Sequence, residues 1–236
     1  MILKDLHNKH EDKIACIFGS GPSLRHFDKS ELPKDFITIC VNSSIAKIPH
    51  PDYYVTDDQG IFFWSYYKQY VLPSKAQKLF FKDKLYKYTK DIPGIIYFEH
   101  RHYTKDSKNV KMSNNPDVKI IGARSSIGTA INLSYIMGMK KILLLGFDNK
   151  IEENKRYYFE FDNQPKIFPI IKEINCQKYM GESKEHFKQF KKYWEIFSKE
   201  NLDNVDNIEI YNCCIDSDLD IFPKIEFKEA VKKFKD

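Results

Sequence analysis

Several patterns that would assign a function directly are missing from this chain. The turn at residues 19–23 lacks the third glycine of a dinucleotide fingerprint and the Gly-Lys-Ser/Thr of a Walker loop. The five cysteines include no Cys-x-x-Cys pair, which argues against zinc. No stretch approaches the about 18 apolar residues that a membrane span needs, and residues 1–13 have the pattern of neither a signal peptide nor an anchor. The familiar nucleotide loops, a cysteine-bound metal and a membrane span are therefore not expected.

The composition is that of a folded domain. The chain has 236 residues, of which 42% are hydrophobic and 30% are charged, and it shows no internal repeat or low-complexity linker. We expect a single nucleotide-binding α/β domain over residues 1–236. The net charge of +5 favours anionic ligands without requiring nucleic acid. Three of the five cysteines lie in apolar strand-like runs, which predicts buried thiols in a reducing cytoplasm.

Short apolar runs followed by polar or glycine-rich turns predict buried parallel strands. Segments whose apolar residues recur at helical spacing lie between some of these runs. The predicted strands are residues 14–18, 36–41, 53–56, 78–81, 94–98, 141–145 and 208–212. The predicted helices are residues 126–137, a helix starting at Ser183 or Lys184, and residues 226–234. This alternation predicts a mostly parallel, Rossmann-like sheet with helices on both faces.

Two segments depart from this alternation. Residues 149–180 contain Pro165 and Pro169 and show no sustained periodicity, so we expect a lid insertion there. Residues 59–70 carry aromatic side chains at helical spacing, which is more typical of core packing than of a base-stacking platform.

Polar residues follow the predicted strands and should meet at one edge of the sheet, where open α/β sheets bind ligands. They are Asn42, Asp57, Ser126 and Asp148, together with the turn Gly19, Ser20, Gly21 and Ser23. A Gly-Ser-Gly turn lets the backbone approach a phosphate, although a plain tight turn has the same pattern. The sequence therefore predicts a nucleotide site.

Individual members of this group allow two interpretations. Ser125 and Ser126 can bind a phosphate or carboxylate at a helix start, or they can simply cap the helix. Asp148 can accept hydrogen bonds from ribose or base, or it can cap the following turn. Asp57 and Asp58 can hold Mg²⁺ on a diphosphate, but adjacent residues of a strand point to opposite faces, so only one would ligate.

Histidines supply the candidates for a general base. His186 lies at the start of the predicted amphipathic helix, where it can reach an acceptor hydroxyl or lie on the surface. His100 and His102 flank Arg101 in a polar stretch that either contacts an acceptor or forms a solvated loop.

The chain resembles the bacterial lipooligosaccharide sialyltransferases and a related family that includes flagellin-modifying motility accessory proteins and the archaeal 6-hydroxymethylpterin diphosphokinase. The matching parts are residues 19–24, Asn42, residues 51–55 with Asp57, and residues 125–148. For the sialyltransferases, the resemblance implies metal-independent, inverting transfer from a CMP-sugar, with no further cofactor. It implies that the donor is bound by Gly19, Ser20, Gly21, Asn42, Ser125, Ser126 and Asp148.

Two positions depart from the sialyltransferase pattern. The family places a tyrosine near the leaving phosphate shortly after the aspartate, where this chain has Lys150, although Tyr157 or Tyr158 can supply a second tyrosine. The family places its catalytic histidine before Ser-Lys, where this chain has Glu182, so the base would be Glu182 or a displaced His186. Lys150 can still neutralise a leaving phosphate, and a carboxylate can act as base.

These observations predict a glycosyltransferase-like enzyme that moves a sugar from a nucleotide-activated, CMP-linked donor to a glycan acceptor in surface-glycan (lipopolysaccharide) assembly. We expect it in the cytoplasm, with at most peripheral membrane contact through its basic C-terminal residues, and homo-oligomers are possible. Two alternatives stay open. One is an Mg²⁺-dependent pyrophosphokinase acting on a hydroxymethylpterin-like substrate, with Asp57 and Asp148 holding the metal. The other is a nucleotide-sugar-binding module without turnover.

Overall fold

The computed structural model describes residues 2–100, 112–162, 164–170, 176–198, 205 and 207–235, and within residues 176–186 it describes a side chain only at Glu185. The strands are β1 Ile14–Phe18, β2 Ile37–Val41, β3 Tyr53–Thr56, β4 Gln77–Phe81, β5 Ile95–Phe98, β6 Lys141–Leu145 and β7 Glu209–Asn212. In the described part of the chain these form one seven-stranded sheet in the order β5-β4-β3-β2-β1-β6-β7, with every pairing parallel. The predicted Rossmann-like α/β fold is confirmed.

The central strands are apolar because both faces of the sheet are covered. Every residue of β1 and β3 is buried, as are the last four residues of β2 and of β6. Such strands have nearly continuous apolar sequences, which is why they were predictable from sequence. Phe18 pairs with Cys40 on one side and with Leu145 on the other, so β1, β2 and β6 end at the same level.

The helices are α1 Lys82–Thr89, α2 Ser126–Ile136, α3 Cys176–Phe197 and α4 Phe227–Lys235. Helix α2 matches its prediction: the Oγ of Ser125 accepts a hydrogen bond from the N–H of Ile127 at 3.2 Å, and Gly138, with a φ of +88°, follows the end of the helix. None of the helices among the described residues has the length and apolar character that crossing a bilayer requires.

Helix α3 begins earlier than its sequence predicts. It starts at Cys176, so the expected start at Ser183 or Lys184 is wrong, and the end of the predicted lid segment is helical. The apolar periodicity that predicts this helix runs only through Phe187, Phe190, Trp194 and Phe197. Serine also occurs inside helices, and one interior glycine, such as Gly181, costs a helix only about 1 kcal/mol. Local helix propensity was therefore too weak a signal to locate the start of α3.

The aromatic stripe at residues 59–70 belongs in part to the core. It forms two single-turn helices, Gln59–Phe63 and Tyr67–Val71, rather than one continuous helix. Ile61, Tyr66 and Tyr67 are buried, as the packing interpretation predicts, whereas Phe63 is exposed and Trp64 lines the cavity described below.

The strand order creates a crevice between β1 and β6. The chain adds β2 to β5 on one side of β1, and then returns through α2 to place β6 on the other side. Ligands of open α/β sheets bind where the strand order reverses in this way. Here Gly19 and Gly146 follow the two strands, and the N–H of Gly21 donates to the carbonyl oxygen of Gly146 at 2.9 Å.

Helix α3 is fixed over the β6 end of this crevice by aromatic packing. Trp194 is fully buried, with its ring centroid 4.8 Å from that of Phe147 and 5.8 Å from that of Phe222. Because Phe147 directly precedes Asp148, this packing also fixes the polar residues that follow β6.

We expect Gly146→Ala to destabilise the protein more than Gly94→Ala does. Both glycines have positive φ, +65° and +78°, so alanine costs each about 1–2 kcal/mol in backbone strain. At Gly146 the new Cβ would also lie 2.6 Å from the carbonyl oxygen of Gly19, whereas at Gly94 no atom of the described residues lies within 4 Å. Urea unfolding should give Gly146→Ala an extra loss of about 1–3 kcal/mol. Equal losses would contradict the close approach of the two loops.

Candidate functional site

A cavity of about 600 Å³ opens at the carboxyl edge of the sheet, a volume in the range of small-molecule sites. Most of the residues predicted from sequence line it: Ser20, Gly21, Asn42, Asp57, Ser125, Ser126, Asp148, Lys150 and Tyr157. Gly19 and Ser23 lie in the same turn, next to lining residues. Glu182 and His186 belong to α3, but their side chains lie outside the described residues, as do Arg101 and His102. The predicted convergence of strand-end residues is thus present in the structure.

Asp148 ties the loop after β6 to the loop after β1. Its carboxylate accepts hydrogen bonds from the N–H of Ser23 at 3.1 Å and from the Oγ of Ser23 at 2.8 Å. A Cβ at position 21 would overlap this carboxylate, so Gly21 is required for the contact. Asp148 therefore has a structural role in the turn, and it also lines the cavity.

The electrostatics of Asp148 reflect its position. Only 2% of the residue is exposed, and burial raises the pKa of its carboxyl above the ordinary value, while the two hydrogen bonds from Ser23 oppose that rise. Because the effect of burial on the pKa is larger than that of the hydrogen bonds, the ionised form of Asp148 lowers the stability of the folded state. A ligand hydroxyl that donates to this carboxylate would offset part of that cost.

Asn42 follows β2 in an unusual backbone conformation. Its φ is +51°, which a residue other than glycine adopts infrequently and which occurs often at binding sites. Its Oδ1 accepts a hydrogen bond from the Oγ1 of Thr56 at 2.9 Å. The amide group can therefore offer a ligand its N–H₂ donors.

Asp57 and the start of α2 form a polar network at the β3 end of the cavity. The Oγ of Ser126 donates to Oδ1 of Asp57 in a short hydrogen bond, and the Oγ1 of Thr129 lies 3.4 Å from Oδ2 of Asp57. His100 is buried, with its Nε2 3.0 Å from the Oγ1 of Thr129 and 4.0 Å from Oδ2 of Asp57. Ser126 thus binds a carboxylate of the chain itself in this structure.

The structure separates the two tyrosines that sequence reasoning left as alternatives. Tyr158 is fully buried, and its hydroxyl donates to the backbone oxygen of Ser43 at 2.8 Å. Its N–H donates to the backbone oxygen of Ser20 at 3.2 Å. Tyr157 instead lines the cavity, so Tyr157 is the tyrosine that a ligand can reach.

Basic side chains line the cavity near Tyr157. The Nζ of Lys150 lies 3.9 Å from Glu152, whose carboxylate also accepts two hydrogen bonds from Arg25, of 2.5 and 3.2 Å. Arg156 lies over the ring of Tyr157, with its guanidinium 5.0 Å from the centroid. Lys150 and Arg156 therefore bring positive charge to this part of the wall.

Sequence reasoning missed Arg156 and Arg124, which both line the cavity. The guanidinium of Arg124 lies 4.3 Å from the ring centroid of Tyr193 on α3, and the residue has a φ of +53°. A signal for both was present, because the chain has only four arginines, and these two stand directly before Ser125 and Tyr157.

The described part of the predicted lid segment, residues 149–162 and 164–170, is hydrogen-bonded back to the domain. The N–H of Ser65 donates to the oxygen of Phe168 at 2.9 Å, and the N–H of Ile170 donates to the oxygen of Phe63 at 2.7 Å. Trp64 and Pro169 form an isolated antiparallel bridge between these two stretches. Opening of this segment as a lid stays a prediction.

Asp57 and Asp148 are the residues that the pyrophosphokinase alternative assigns to Mg²⁺. Asp57 follows β3 and Asp148 follows β6, three strands away, which corresponds to about 14 Å across the sheet. A role of these two carboxylates in holding Mg²⁺, as in the pyrophosphokinase alternative, stays a prediction. Among the described residues, no three histidine, cysteine, aspartate or glutamate side chains are grouped to hold a metal.

No family model matches the sequence, and no curated protein matches it. Solved structures do match the fold. The sialyltransferase CST-II in complex with a trisaccharide acceptor and CMP has a TM-score of 0.50 at 19% identity, with 91% of this chain and 86% of that chain covered. CstII from Campylobacter jejuni in complex with cytidine-5'-monophosphate has a TM-score of 0.50 at 19% identity, with 92% and 86% covered.

A third similar structure is the MAf glycosyltransferase from Magnetospirillum magneticum AMB-1, with a TM-score of 0.52 at 7% identity. It covers 99% of this chain, but this chain spans only 40% of that protein. Sialyltransferases and motility accessory glycosyltransferases are the groups that the sequence resembles, so the resemblance is confirmed for the fold.

The Asp148→Asn variant should be at least as stable as wild type at pH 7. The pKa of Asp148 is higher in the folded protein than in the unfolded chain, so between these two pKa values the folded protein binds more protons. The contribution of Asp148 to the free energy of unfolding therefore falls as the pH rises through this range. Asparagine removes the buried charge. Its Oδ1 still accepts from the N–H of Ser23, and its N–H₂ can donate to the Oγ of Ser23. Urea unfolding at pH 7 and pH 4 should show the advantage of the variant shrinking at pH 4.

The exposed Asp218 provides a matched control, and Asp218→Asn should change stability by less than about 0.5 kcal/mol. A loss of more than about 1 kcal/mol in Asp148→Asn at both pH values would mean that the hydrogen bonds from Ser23 outweigh the cost of burying the charge.

Proposed function

We propose that this protein is a glycosyltransferase that transfers a sugar from a CMP-linked donor to a glycan acceptor. The observation that carries this function is the 600 Å³ cavity at the strand-order reversal, lined by the strand-end residues that the resemblance to sialyltransferases assigns to the donor. The similar folds of two sialyltransferases described in complex with CMP support the choice of nucleotide.

In this proposal the nucleotide binds at the β1 and β6 end of the cavity. The N–H groups of Gly19, Gly21 and Ser23 already donate within the chain, so Ser20 is the residue of this turn that we place near the phosphate. Asp148 accepts hydrogen bonds from ribose or base hydroxyl and amino groups. The amide of Asn42 and the Ser125 hydroxyl are further donors on the same wall. These donors match the phosphate oxygens of CMP, and the buried acceptor, Asp148, matches its hydroxyl and amino groups.

Stabilisation of the leaving phosphate falls to Lys150, Arg156 and Tyr157. When the bond between the anomeric carbon and the phosphate oxygen breaks, its electron pair stays on the phosphate, and negative charge develops there. Lys150 and Arg156 supply positive charge without a metal ion, and the Tyr157 hydroxyl can donate a hydrogen bond. Glu152 holds Lys150 in place, which limits the reorganisation that the reaction requires.

The acceptor hydroxyl attacks the anomeric carbon from the opposite face, which inverts its configuration, and a general base takes the hydroxyl proton. Glu182 and His186 on α3 are the candidates from sequence, and the backbone of α3 runs beside the cavity, where Phe187 and Phe190 of the same helix line the wall. These two aromatic rings, with Trp64 and Phe159, give the cavity apolar faces suited to a glycan acceptor. We place this transfer in surface-glycan assembly.

Nucleotide binding separates this function from a pyrophosphokinase. We expect CMP with a chelator to raise the thermal unfolding midpoint by several degrees, since a ligand at about 100 times its Kd stabilises the native state by about 2.7 kcal/mol. UMP, GDP and ATP with Mg²⁺ are compared in the same thermal shift assay. Stabilisation by ATP only with Mg²⁺ would contradict the transferase and favour the kinase.

Replacing the base separates an enzyme from a binding module. In an assay of CMP release from CMP-sugars with a glycan acceptor, one of Glu182→Gln and His186→Asn should lower kcat by about 10²–10⁴-fold while CMP affinity is retained. Glu185→Gln is the matched control, because Glu185 lies on the same helix and is exposed. Unchanged turnover in both variants would remove these residues from the mechanism, and no turnover even in wild type would favour the binding module.

A further inference from the structure

A second link, outside the cavity, joins the loop after β1 to the segment after β6. Arg25 donates two hydrogen bonds to the carboxylate of Glu152, from Nη1 to Oε2 at 3.2 Å and from Nη2 to Oε1 at 2.5 Å. Such a bidentate pair is stronger and more directional than a single hydrogen bond. Lys150 lines the cavity, whereas Arg25 and Glu152 do not. The ion pair therefore lies behind a cationic part of the wall.

Arg25 is held in place by contacts that do not involve Glu152. Its Nη1 also donates to the backbone oxygen of Pro22 at 3.2 Å, and its guanidinium lies 3.9 Å from the ring centroid of Phe161. Only 16% of its side chain is exposed. Because the guanidinium is fixed by these neighbours, little further side-chain freedom is lost when it orients the carboxylate.

Glu152 connects this guanidinium to Lys150. Its backbone is fixed in a tight turn, where Glu152 and Lys155 exchange N–H to oxygen hydrogen bonds of 2.9 and 2.7 Å. The hydrogen bonds from Arg25 lower the pKa of the Glu152 carboxyl, which keeps it ionised. The Nζ of Lys150 lies 3.9 Å from Oε2 of Glu152, which is too far for a hydrogen bond. Glu152 thus attracts Lys150 without occupying one of its N–H groups.

The charges around Lys150 depend on Arg25. Two carboxylates, Asp148 and Glu152, interact electrostatically with the Lys150 ammonium. Arg25 neutralises Glu152, so one of the two carboxylates has its own cation. Without Arg25, the Glu152 carboxylate would pair directly with Lys150, and two negative charges would face one ammonium. The charge of Arg156 on the same wall is present in either case.

We propose that Arg25 is a positioning residue which, by occupying both oxygens of Glu152, keeps the charge of Lys150 available to the phosphate of a bound nucleotide. This inference rests on the proposed function, in which Lys150 stabilises the leaving phosphate. Arg25 acts only through Glu152 and contacts no part of the nucleotide. A residue outside the cavity thereby controls how strongly the site holds the anionic part of its ligand.

The test compares the affinities of CMP and of cytidine, which lacks the phosphate, by competition calorimetry. General damage to the site weakens both ligands, whereas loss of the Lys150 charge weakens CMP alone. We expect wild type to prefer CMP over cytidine. Arg25→Met should lower this preference about tenfold, as expected when a hydrogen bond between charged groups is lost.

A double variant tests the route through Glu152. Arg25→Met/Glu152→Gln has no carboxylate at position 152 to pair with Lys150, so its preference for CMP should return to within about threefold of wild type. Glu152→Gln alone should prefer CMP at least as strongly as wild type does. Lys155→Met is the matched control and should leave the preference within about twofold. Lys155 lies over the same Phe161 ring, at 4.3 Å, but pairs with Glu153 at 3.7 Å.

Three results would overturn the role of Arg25. They are equal losses of CMP and cytidine affinity in Arg25→Met, a preference in the double variant as low as in Arg25→Met, and wild type that binds CMP no more tightly than cytidine. In each case CMP still binds to wild type, so the proposed function is not contradicted. If CMP does not bind to wild type at all, both proposals fall together.

Discussion

The close approach of the two loops after β1 and β6 is the constraint on which the rest of the site depends. The backbones of Gly19 and Gly146 are in contact, and a side chain on either would overlap the other. This contact brings Ser23 within hydrogen-bonding distance of Asp148, and Gly21 leaves the space that the carboxylate fills. The crevice at the strand-order reversal therefore has a fixed shape before any ligand arrives, which reduces the ordering that binding requires.

The neighbouring segments are built around this junction. Tyr158 lies between the loop after β1 and the loop after β2, where it donates hydrogen bonds to the backbone oxygens of Ser20 and Ser43. Tyr157 lies on the cavity wall. Trp194 fixes α3 against Phe147, so the helix that carries the predicted base is anchored to the same strand end as Asp148. Four basic side chains, Lys84, Arg124, Lys150 and Arg156, line the cavity.

The sequence carried enough information for the sheet and for the convergence of the site, because each relevant strand is a continuous apolar run that stops at a polar residue. The cap of α2 at Ser125 was predictable for the same local reason. Contacts between distant residues were not predictable from the sequence. The hydrogen bond from Ser126 to Asp57 depends on how α2 lies against β3. Arg124 and Arg156 reach the cavity through loop conformations that hydrophobic periodicity does not encode. The start of α3 at Cys176 was missed because the apolar periodicity that predicts this helix begins only at Phe187.

A crystal structure of the protein grown with CMP and a chelator tests the central claim most directly. Our account predicts the nucleotide in the crevice between β1 and β6, with its phosphate beside residues 19–23 and within reach of Lys150, and with Asp148 accepting a hydrogen bond from ribose or base. CMP bound elsewhere, or an empty crevice at CMP concentrations that saturate the protein in solution, would contradict it.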